Sequence, residues 1–334
     1  MMIFVVRRAQ SKEDMDFFFK LGFETMMKTE ERRQFYDEMM KNNPDASDDE
    51  LFELHRKEVE GYFDFDNPHA RVFVVKREVS ENYCGYLWMG LRNSEDAWDF
   101  ERPQWIYDIV VDSKYRGHGL GRMLLEKADA FAFELNLNIG LFVHTGNDPA
   151  IALYKKSGYN IKVVPISKKL NSESQDRVND EFVIRQEKKT ERENVLEIGL
   201  DRFKKKVRFS IDVDDKAIEK RYTEYVSAYE KNPEEHQRLL ALTRDGDIAG
   251  FAWAGISSFN EKIAMIYEFL ICDNFRESGV RDRLLGFIEK WAKNKGFFTM
   301  YILLHSEDDL DIEFFKSNDY IVPGYFMEKR LKPE

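Results

Sequence analysis

Three glycines alternate with larger residues between Arg116 and Arg122, where the chain reads Arg-Gly-His-Gly-Leu-Gly-Arg. Because glycine has no Cβ atom, a ligand can approach its backbone closely. Helical spacing begins directly after this turn, and the first N–H groups of a helix lack partners within the helix and lie at the positive end of its dipole. A glycine-rich turn in this place is typical of phosphate binding.

Two common phosphate-binding motifs do not fit the turn. A Walker loop ends in Gly-Lys followed by Ser or Thr, and the turn has no such ending. A dinucleotide fingerprint that starts at Gly117 requires glycine at position 122, where this chain has Arg122. The residues therefore indicate a phosphate compound of another class.

A strand and a helix must position the turn. Residues 105–111, Trp-Ile-Tyr-Asp-Ile-Val-Val, form a largely apolar and β-branched run that predicts a buried strand. After the glycines, apolar residues recur at positions 124, 125, 128, 131, 132 and 135, which predicts an amphipathic helix. The chain is organised around this strand, turn and helix.

This arrangement resembles the acyl-CoA loop of the GNAT-type N-acetyltransferases, in which Arg/Gln-x-x-Gly-x-Gly/Ala follows a strand. Arg116, Gly119 and Gly121 supply that pattern here. A second pattern of the family, Asn-x-x-Ala-x-x-Leu-Tyr-x-x-x-Gly-Phe/Tyr, follows in the expected order. Its members in this chain are Asn147, Ala150, Leu153, Tyr154, Gly158 and Tyr159.

The resemblance implies an α/β fold with a mixed sheet and an N-acetyltransferase that transfers an acetyl group from acetyl-CoA to a primary amine. The amine belongs to a small molecule or to a protein N-terminus or lysine, and no metal is required because an amine attacks a thioester directly. The residues implied to bind acetyl-CoA are Ile109, Val110 and Val111 at the pantetheine arm, Arg116, Gly117, His118, Gly119, Leu120, Gly121 and Arg122 at the diphosphate, and Asn147 and Tyr154.

Tyr154 matches the position of the family's general acid. A tyrosine with a pKa of about 10 stays protonated at neutral pH and can donate to a thiolate whose pKa is about 8.5. The alternative is a tyrosine that only packs on its helix. For Asn147 the alternative to a cofactor contact is a helix N-cap.

The general base is less well defined by the sequence. Strand alternation puts Asp108 on the face opposite Ile109 and Val111, where it could meet the ammonium group of the acceptor, although buried carboxylates often only accept hydrogen bonds. His144, at the carboxyl end of the next predicted strand, is the alternative base. Within the turn, His118 is expected to face solvent.

No metal site is predicted from the remaining histidines or from the cysteines. His55, His69 and His236 are isolated and lack the spacing of metal ligands. Cys84 and Cys272 lie far apart in strand-like runs, which is typical of buried thiols in a reducing compartment.

Length and charge narrow the class of protein further. A chain of 334 residues is expected to form two domains. A net charge of −11 argues against a nucleic-acid or anionic-membrane partner, since either favours a basic face. The chain has neither a run of apolar residues long enough to span a membrane nor the layout of a signal peptide at residues 1–8, so we expect a cytoplasmic protein.

Sequence patterns repeat within the chain. Phe4-Val5-Val6-Arg7 returns as Phe182-Val183-Ile184-Arg185, and Ile106-Tyr107-Asp108 returns as Ile266-Tyr267-Glu268. The offset between copies falls from 178 to 160 residues, which predicts a shorter second copy of the charged helical segment at 28–66. That segment is read either as a substrate lid or as helices packed on the sheet.

We predict a catalytic GNAT domain at 1–170, a linker at 171–180 and a second GNAT-like domain at 181–334.

The second copy lacks the residues of the candidate site. Glu277, Arg281 and Asp282 replace Gly117, Gly121 and Arg122, and Phe315 replaces Tyr154. We therefore read the second domain as degenerate and expect one acetyl-CoA per chain. The main rival reading is a non-enzymatic acyl-CoA binding or sensing protein. An interaction scaffold is disfavoured by the intact glycine turn.

Overall fold

The computed structural model describes residues 2–28, 30–92, 103–170, 181–210, 213–230, 232–257 and 260–331. The chain forms two compact units. Unit 1 comprises residues 1–95, 101–162 and 324–334, and unit 2 comprises residues 96–100 and 163–323. Each unit combines helices with a mixed sheet, which confirms the predicted α/β class.

Unit 1 has one parallel strand pair among the antiparallel pairs in its described residues. Numbered along the chain, its strands in sheet order are β1 (Phe4–Arg8), β2 (Arg71–Arg77), β3 (Tyr83–Leu91), β4 (Gln104–Val111), β5 (Ile139–His144) and β12 (Gly324–Lys329). Its helices are α1 (Lys12–Lys28), α2 (Glu30–Asn42), α3 (Asp48–Tyr62), α4 (Leu120–Glu134) and α5 (Asp148–Lys156). The pair β4 and β5 is the parallel one.

The two faces of this sheet carry different helices. The apolar side of α4 packs on one face through Leu124, Leu125 and Ala128, which are fully buried. On the other face α1 packs through Phe18 and Phe19. The charged segment 28–66 forms α2 and α3, whose buried residues contact α1. Both helices pack on α1, and Phe52 and Val59 of α3 also pack against the cluster that α1 forms with the sheet, which agrees with the reading of helices packed on the sheet.

Asp14 fixes the start of α1. The Ser11 hydroxyl accepts a hydrogen bond from the Asp14 N–H at 3.2 Å, and the Asp14 carboxylate accepts one from the Ser11 N–H at 3.1 Å. The same carboxylate is fully buried and accepts two bonds from Arg7, at 2.7 and 2.8 Å. Burial raises the pKa of Asp14, but the hydrogen bonds from Arg7 and the backbone outweigh burial and hold it well below its ordinary value.

We expect Asp14→Asn to lower the free energy of unfolding by roughly 1.5–3 kcal/mol at pH 7, the range for hydrogen bonds to charged groups. Because the folded-state pKa is depressed, this stabilisation is present above the unfolded pKa of about 3.9 and is lost as pH falls below it. Urea unfolding at pH 7 and pH 3 should show that the parent and Asp14→Asn chains differ less in free energy of unfolding at the lower pH. Asp37→Asn, which removes an exposed ion pair with Arg33, is the control. A difference independent of pH would contradict this account.

Unit 2 repeats the element order of unit 1. Its strands in sheet order are β6 (Asn160–Lys169, with Val163 onward in this unit), β11 (Thr299–His305), β10 (Ile263–Ile271), β9 (Ile248–Ile256), β8 (His236–Thr243) and β7 (Phe182–Gln186). Its helices are α6 (Arg192–Ser210), α7 (Asp215–Glu230), α8 (Val280–Asn294) and α9 (Asp309–Ser317). In the described residues, α6 and α7 stand between β7 and β8, where unit 1 has α1, α2 and α3. The predicted shortening therefore lies in this helical region.

The compact units do not coincide with the ranges 1–170 and 181–334 predicted from the sequence. Strand β6 ends the first sequence repeat, but from Val163 to Lys169 it pairs with β11 of unit 2. Strand β12 ends the second repeat, but it pairs with β5 of unit 1 from Gly324 to Lys329. Each unit is thus completed by the last strand of the other repeat. The predicted linker at 171–180 lies outside the described residues.

A largely buried carboxylate holds the exchanged strand in each unit. In unit 1, Lys329 of β12 pairs with Asp129 of α4 at 2.6 Å, and the Tyr159 hydroxyl donates to the same carboxylate at 2.8 Å. In unit 2, Lys168 of β6 pairs with Glu289 of α8 at 3.0 Å. Burial, followed by the negative charge of Asp129, raises the pKa of Tyr159 well above its usual value. The repeated sequence thus builds the same ion pair twice, each time with a lysine from the other repeat.

Candidate active site

The backbone conformation of the glycine turn explains why glycine is needed at two of its three glycine positions. Gly117 has φ of +81° and Gly119 has φ of +79°, a left-handed conformation that L side chains rarely adopt. Gly119 is the N-cap of α4, whose first residue is the buried Leu120. A Cβ atom added to Gly117 or Gly119 would meet nothing within 4 Å, so open space lies beside the turn.

Gly121 has a different role from the other two glycines. It lies in the first turn of α4 with ordinary helical φ, and a Cβ atom there would come within 2.9 Å of the Leu153 side chain of α5. Absence of a side chain at Gly121 therefore lets α5 approach the start of α4. The unpaired N–H groups at this helix start border the open space beside the turn.

The pairing of β4 with β5 ends before the glycine turn. Their parallel register runs from Gln104↔Ile139 to Ile106↔Leu141. From Tyr107 to Val111, the described residues provide no strand partner on this edge of β4, although its other edge stays paired with β3. The backbone that leads into the glycine turn is thus open along one edge.

A bulge interrupts β4 at the place where its pairing with β5 ends. Trp88 of β3 pairs with Asp108, but the next residue of β3 pairs with Ile106, so Tyr107 is the extra residue. A bulge can turn two consecutive side chains to the same face of a sheet. Tyr107 stacks on Trp88, with ring centroids 5.2 Å apart, on the face that α1 covers, and Asp108 lies on the same face.

The neighbours of Asp108 confirm its predicted orientation. The side chain of Val110 packs with α1, whereas the side chains of Ile109 and Val111 pack in the core beneath α4. The half-buried Asp108 carboxylate accepts a hydrogen bond from the Tyr86 hydroxyl at 2.5 Å. It therefore lies on the face opposite Ile109 and Val111, as alternation predicted.

The structure adds His55 to the surroundings of Asp108, although the sequence reading treated it as isolated. His55 lies on α3, and its ring contacts Phe23 of α1 with centroids 5.8 Å apart. Burial lowers the pKa of His55, while the negative charge of Asp108 opposes that shift. Since the two residues are far apart in sequence, no local pattern could have indicated that they lie near each other.

Helix α5 carries two of the predicted site residues. Tyr154 is buried, with 6% of its surface exposed, and its ring lies 6.1 Å from that of Tyr159. Asn147 is the N-cap of α5, and its side-chain oxygen accepts a hydrogen bond from the Ala150 N–H at 3.3 Å. The N-cap alternative for Asn147 is therefore the role observed. His144, at the end of β5, packs its ring on Phe142.

The polar residues of the glycine turn face solvent. Arg116 is exposed, and its Nε donates to the Val111 carbonyl at 3.3 Å. His118 is also exposed, as expected, and its Nδ1 lies 3.1 Å from the Arg116 carbonyl oxygen. The guanidinium of Arg122, also at the surface, pairs with Glu126 one helical turn later. The cations at the turn are thus available to an anionic ligand.

In unit 2, side chains fill the position that corresponds to Gly121. Arg281 is largely buried and forms an ion pair with Asp311 of α9. Arg202 of α6 pairs with the same carboxylate at 2.5 Å. Burial lowers the pKa of Arg281, and the charge of Asp311 opposes that effect. An ion-pair cluster therefore bridges α8, α9 and α6 where unit 1 has a bare glycine.

The acidic position of β4 is also repeated in unit 2. Glu268 occupies the place of Asp108 and accepts a hydrogen bond from Tyr222 of α7 at 3.0 Å. A Cβ atom on Gly199 would lie only 2.1 Å from the Tyr222 hydroxyl, so α6 and α7 press close to this carboxylate. The cavity beside Glu268 has a volume of about 30 Å³, which holds little more than water.

Neither a cluster of metal ligands nor a membrane-spanning helix occurs in the described ranges. Those ranges contain no group of three or more His, Cys, Asp or Glu residues placed to hold a metal ion. None of their helices combines the length and apolar character needed to cross a membrane. Cys84 is buried and Cys272 partly buried, and both are free thiols whose pKa burial raises.

An open strand edge followed by a glycine turn at a helix start is the arrangement expected of an acyl-CoA transferase, and comparison with known proteins agrees. Residues 31–159 and 208–320 both match the acetyltransferase (GNAT) family. The chain belongs to this family and contains two copies of its domain. The acyl-CoA N-acetyltransferase class predicted from the sequence is thus confirmed.

Individual relatives are distant. The fold is similar to that of a GCN5-related N-acetyltransferase from Sphaerobacter thermophilus, with a TM-score of 0.56 and 15% identity over 99% of this chain and 96% of that one. A tandem GNAT protein from the clavulanic acid biosynthesis pathway gives a TM-score of 0.45 and 13% identity over the full length of both chains. An uncharacterized protein of Mycobacterium leprae is 33% identical over 108 residues, which span 29% of each chain.

Proposed function

We propose that unit 1 transfers an acetyl group from acetyl-CoA to a primary amine. The observation that carries this proposal is the open glycine turn at the end of the unpaired edge of β4. The backbone of residues 109–111 would hold the pantetheine arm, and the N–H groups at the start of α4, with Arg116 and Arg122, would hold the diphosphate. Open space beside Gly117 and Gly119 fits this use of the turn.

The thioester supplies an activated acyl carbon when bound, and residues of this chain manage the protons. Asp108 accepts a proton from the acceptor's ammonium group, directly or through water, with His144 as the alternative base. A new N–C bond forms as the C–S bond breaks, and the nitrogen releases its second proton to water, while N–H groups of β4 donate to the carbonyl oxygen. Tyr154 donates a proton to the departing sulfur, since a tyrosine hydroxyl group is protonated at neutral pH.

The acyl donor is proposed from the family, and the location of the protein from the sequence. Acetyl is the acyl group implied by the family, and the cytoplasmic location expected from the sequence stays a prediction. The rival function, an acyl-CoA binding protein without turnover, predicts tight binding but no release of thiol in the presence of an amine. An acceptor screen with acetyl-CoA and thiol detection separates the two functions.

We expect one acetyl-CoA per chain, bound by unit 1. Gly121→Arg introduces the residue that unit 2 has at this place, and it avoids the backbone strain of a substitution at Gly119, where φ is +79°. This variant should weaken acetyl-CoA binding by roughly 100-fold, the equivalent of about two charged hydrogen bonds. Titration calorimetry on the full chain measures both affinity and stoichiometry.

The matched control is Arg281→Gly in unit 2, which should leave the affinity and the stoichiometry as they are. Circular dichroism and thermal unfolding show whether the Gly121→Arg chain is folded. A folded Gly121→Arg variant that binds like the parent would overturn the assignment of the turn. A parent stoichiometry near two would overturn the proposed inactivity of unit 2.

A further inference from the structure

Aromatic rings form a wall beside Asp108 in unit 1. The members are Tyr62 and Phe63 at the end of α3, Trp88 on β3 and Tyr107 on β4. The Tyr107 ring stacks on Trp88 at 5.2 Å, and Phe63 meets it edge-on at 5.3 Å. Tyr62 meets the Tyr107 ring edge-on at 6.4 Å and is 60% exposed. The wall therefore extends from the sheet to the surface.

The bulge in β4 joins this wall to the acidic residue. Because Tyr107 is the extra residue, its ring and the Asp108 carboxylate lie next to each other on one face of the sheet. The Tyr107 hydroxyl donates a hydrogen bond to the Leu91 carbonyl at 2.5 Å, and this bond holds the ring in place. One carboxylate and one aromatic surface are thus presented side by side.

Unit 2 provides an internal comparison, since it repeats the bulge and the tryptophan. Tyr267 is the extra residue of β10, and Trp253 occupies the place of Trp88. In unit 2, however, this tryptophan is only 1% exposed, because Tyr225 and His236 pack against it and the Arg238 guanidinium lies 4.4 Å above its ring. In unit 1 the corresponding indole is half-buried. Phe18, Phe63 and Phe65 contact Trp88 in unit 1, yet this indole stays partly exposed, whereas Trp253 of unit 2 is buried.

We propose that the acceptor is an arylalkylamine, a primary amine joined to an aromatic ring by a short chain. This inference rests on the proposed function and narrows its substrate. The ammonium group meets Asp108, and the ring packs against Tyr62 and Tyr107. One positive charge beside one flat apolar group matches the Asp108 carboxylate and the ring wall, and aromatic pairs prefer the edge-on and offset geometries that this wall already shows.

The test compares three primary amines on the full chain with acetyl-CoA: 2-phenylethylamine, 2-cyclohexylethylamine and 2-methoxyethylamine. We expect the highest kcat/KM for 2-phenylethylamine. Tyr62→Ala should lower that value by roughly tenfold, the size of a lost aromatic contact. The same variant should leave kcat/KM for 2-methoxyethylamine unchanged. Tyr62→Phe, which keeps the ring, should retain the parent kcat/KM for 2-phenylethylamine. Phe133→Ala on α4, which removes a ring of the same 60% exposure, is the matched control.

Three outcomes would overturn the inference: no preference for 2-phenylethylamine over 2-methoxyethylamine, an equal loss with both amines in Tyr62→Ala, or a better rate with 1,4-diaminobutane. Calorimetric binding of each amine to the CoA-saturated chain separates this inference from the proposed function. If no amine is acetylated, the proposed function fails. In that case selective binding of 2-phenylethylamine that Tyr62→Ala abolishes supports the aromatic site, and equal binding of all three amines overturns it.

Discussion

Replacing Tyr154 with phenylalanine is expected to lower kcat by roughly 10²–10⁴-fold, the range typical of a general acid, and to leave the Kd for acetyl-CoA nearly unchanged. The side chain is buried, so phenylalanine fills the same volume and only the hydroxyl group is lost. Unit 2 already carries the same exchange, with Phe315 in a fully buried position. Steady-state rates of thiol release measure kcat, and calorimetry measures the Kd for acetyl-CoA.

Tyr159→Phe is the control for this prediction because it removes a hydroxyl from a neighbouring ring in the same core. That hydroxyl donates to Asp129 at 2.8 Å, so its loss should lower the melting temperature without a comparable fall in kcat. If Tyr154→Phe retains full turnover, Tyr154 is a packing residue. If both variants lose activity in proportion to stability, the hydroxyl of Tyr154 has no special part in the chemistry.

A chain that ends at Pro323 is expected to lose acetyl-CoA binding, although the glycine turn lies far upstream. Strand β12 covers the edge of β5 through six paired residues, from Gly324 to Lys329. Its Met327 is completely buried in the core beneath α4, and its Lys329 pairs with the largely buried Asp129. Removal of the strand exposes this core and leaves a largely buried carboxylate without its cation, both of which are destabilising.

A point variant tests the same strand without truncation. Met327→Ala should lower the free energy of unfolding by about 2–5 kcal/mol, the usual cost of truncating a buried methionine. Ile321→Ala, at a position that is 65% exposed, is the control and should change stability by less than about 0.5 kcal/mol. Urea unfolding measures the free energy of unfolding of both variants. Unaltered acetyl-CoA affinity in the chain that ends at Pro323 would refute the dependence of unit 1 on β12.

Local chemistry made the glycine turn and the cap of α5 readable from the sequence. Gly119 is needed where the backbone is left-handed, Asn147 lies three residues before the Ala150 N–H that it caps, and apolar spacing marks α4. Each of these features depends on residues a few positions apart. The two copies of the fold were visible for the same reason, since each repeats short patterns in the same order.

Features that depend on distant residues were not readable. Strands β6 and β12 have the same alternation, and nothing within either indicates which sheet it joins, because the choice depends on partners such as Asp129 and Glu289. The bulge at Tyr107 is set by pairing with β3, so alternation alone did not show that this ring shares a face with Asp108. The approach of His55 to Asp108 depends on how α3 packs.

The exchanged strands also bear on how such a gene can change over time. Once two fused copies have traded their last strands, a stop codon in the second copy removes part of the first copy's fold as well. Any selection for a folded unit 1 then also acts on β12, whatever unit 2 itself binds. The second repeat is therefore needed by its neighbour, because its final strand is a structural part of unit 1.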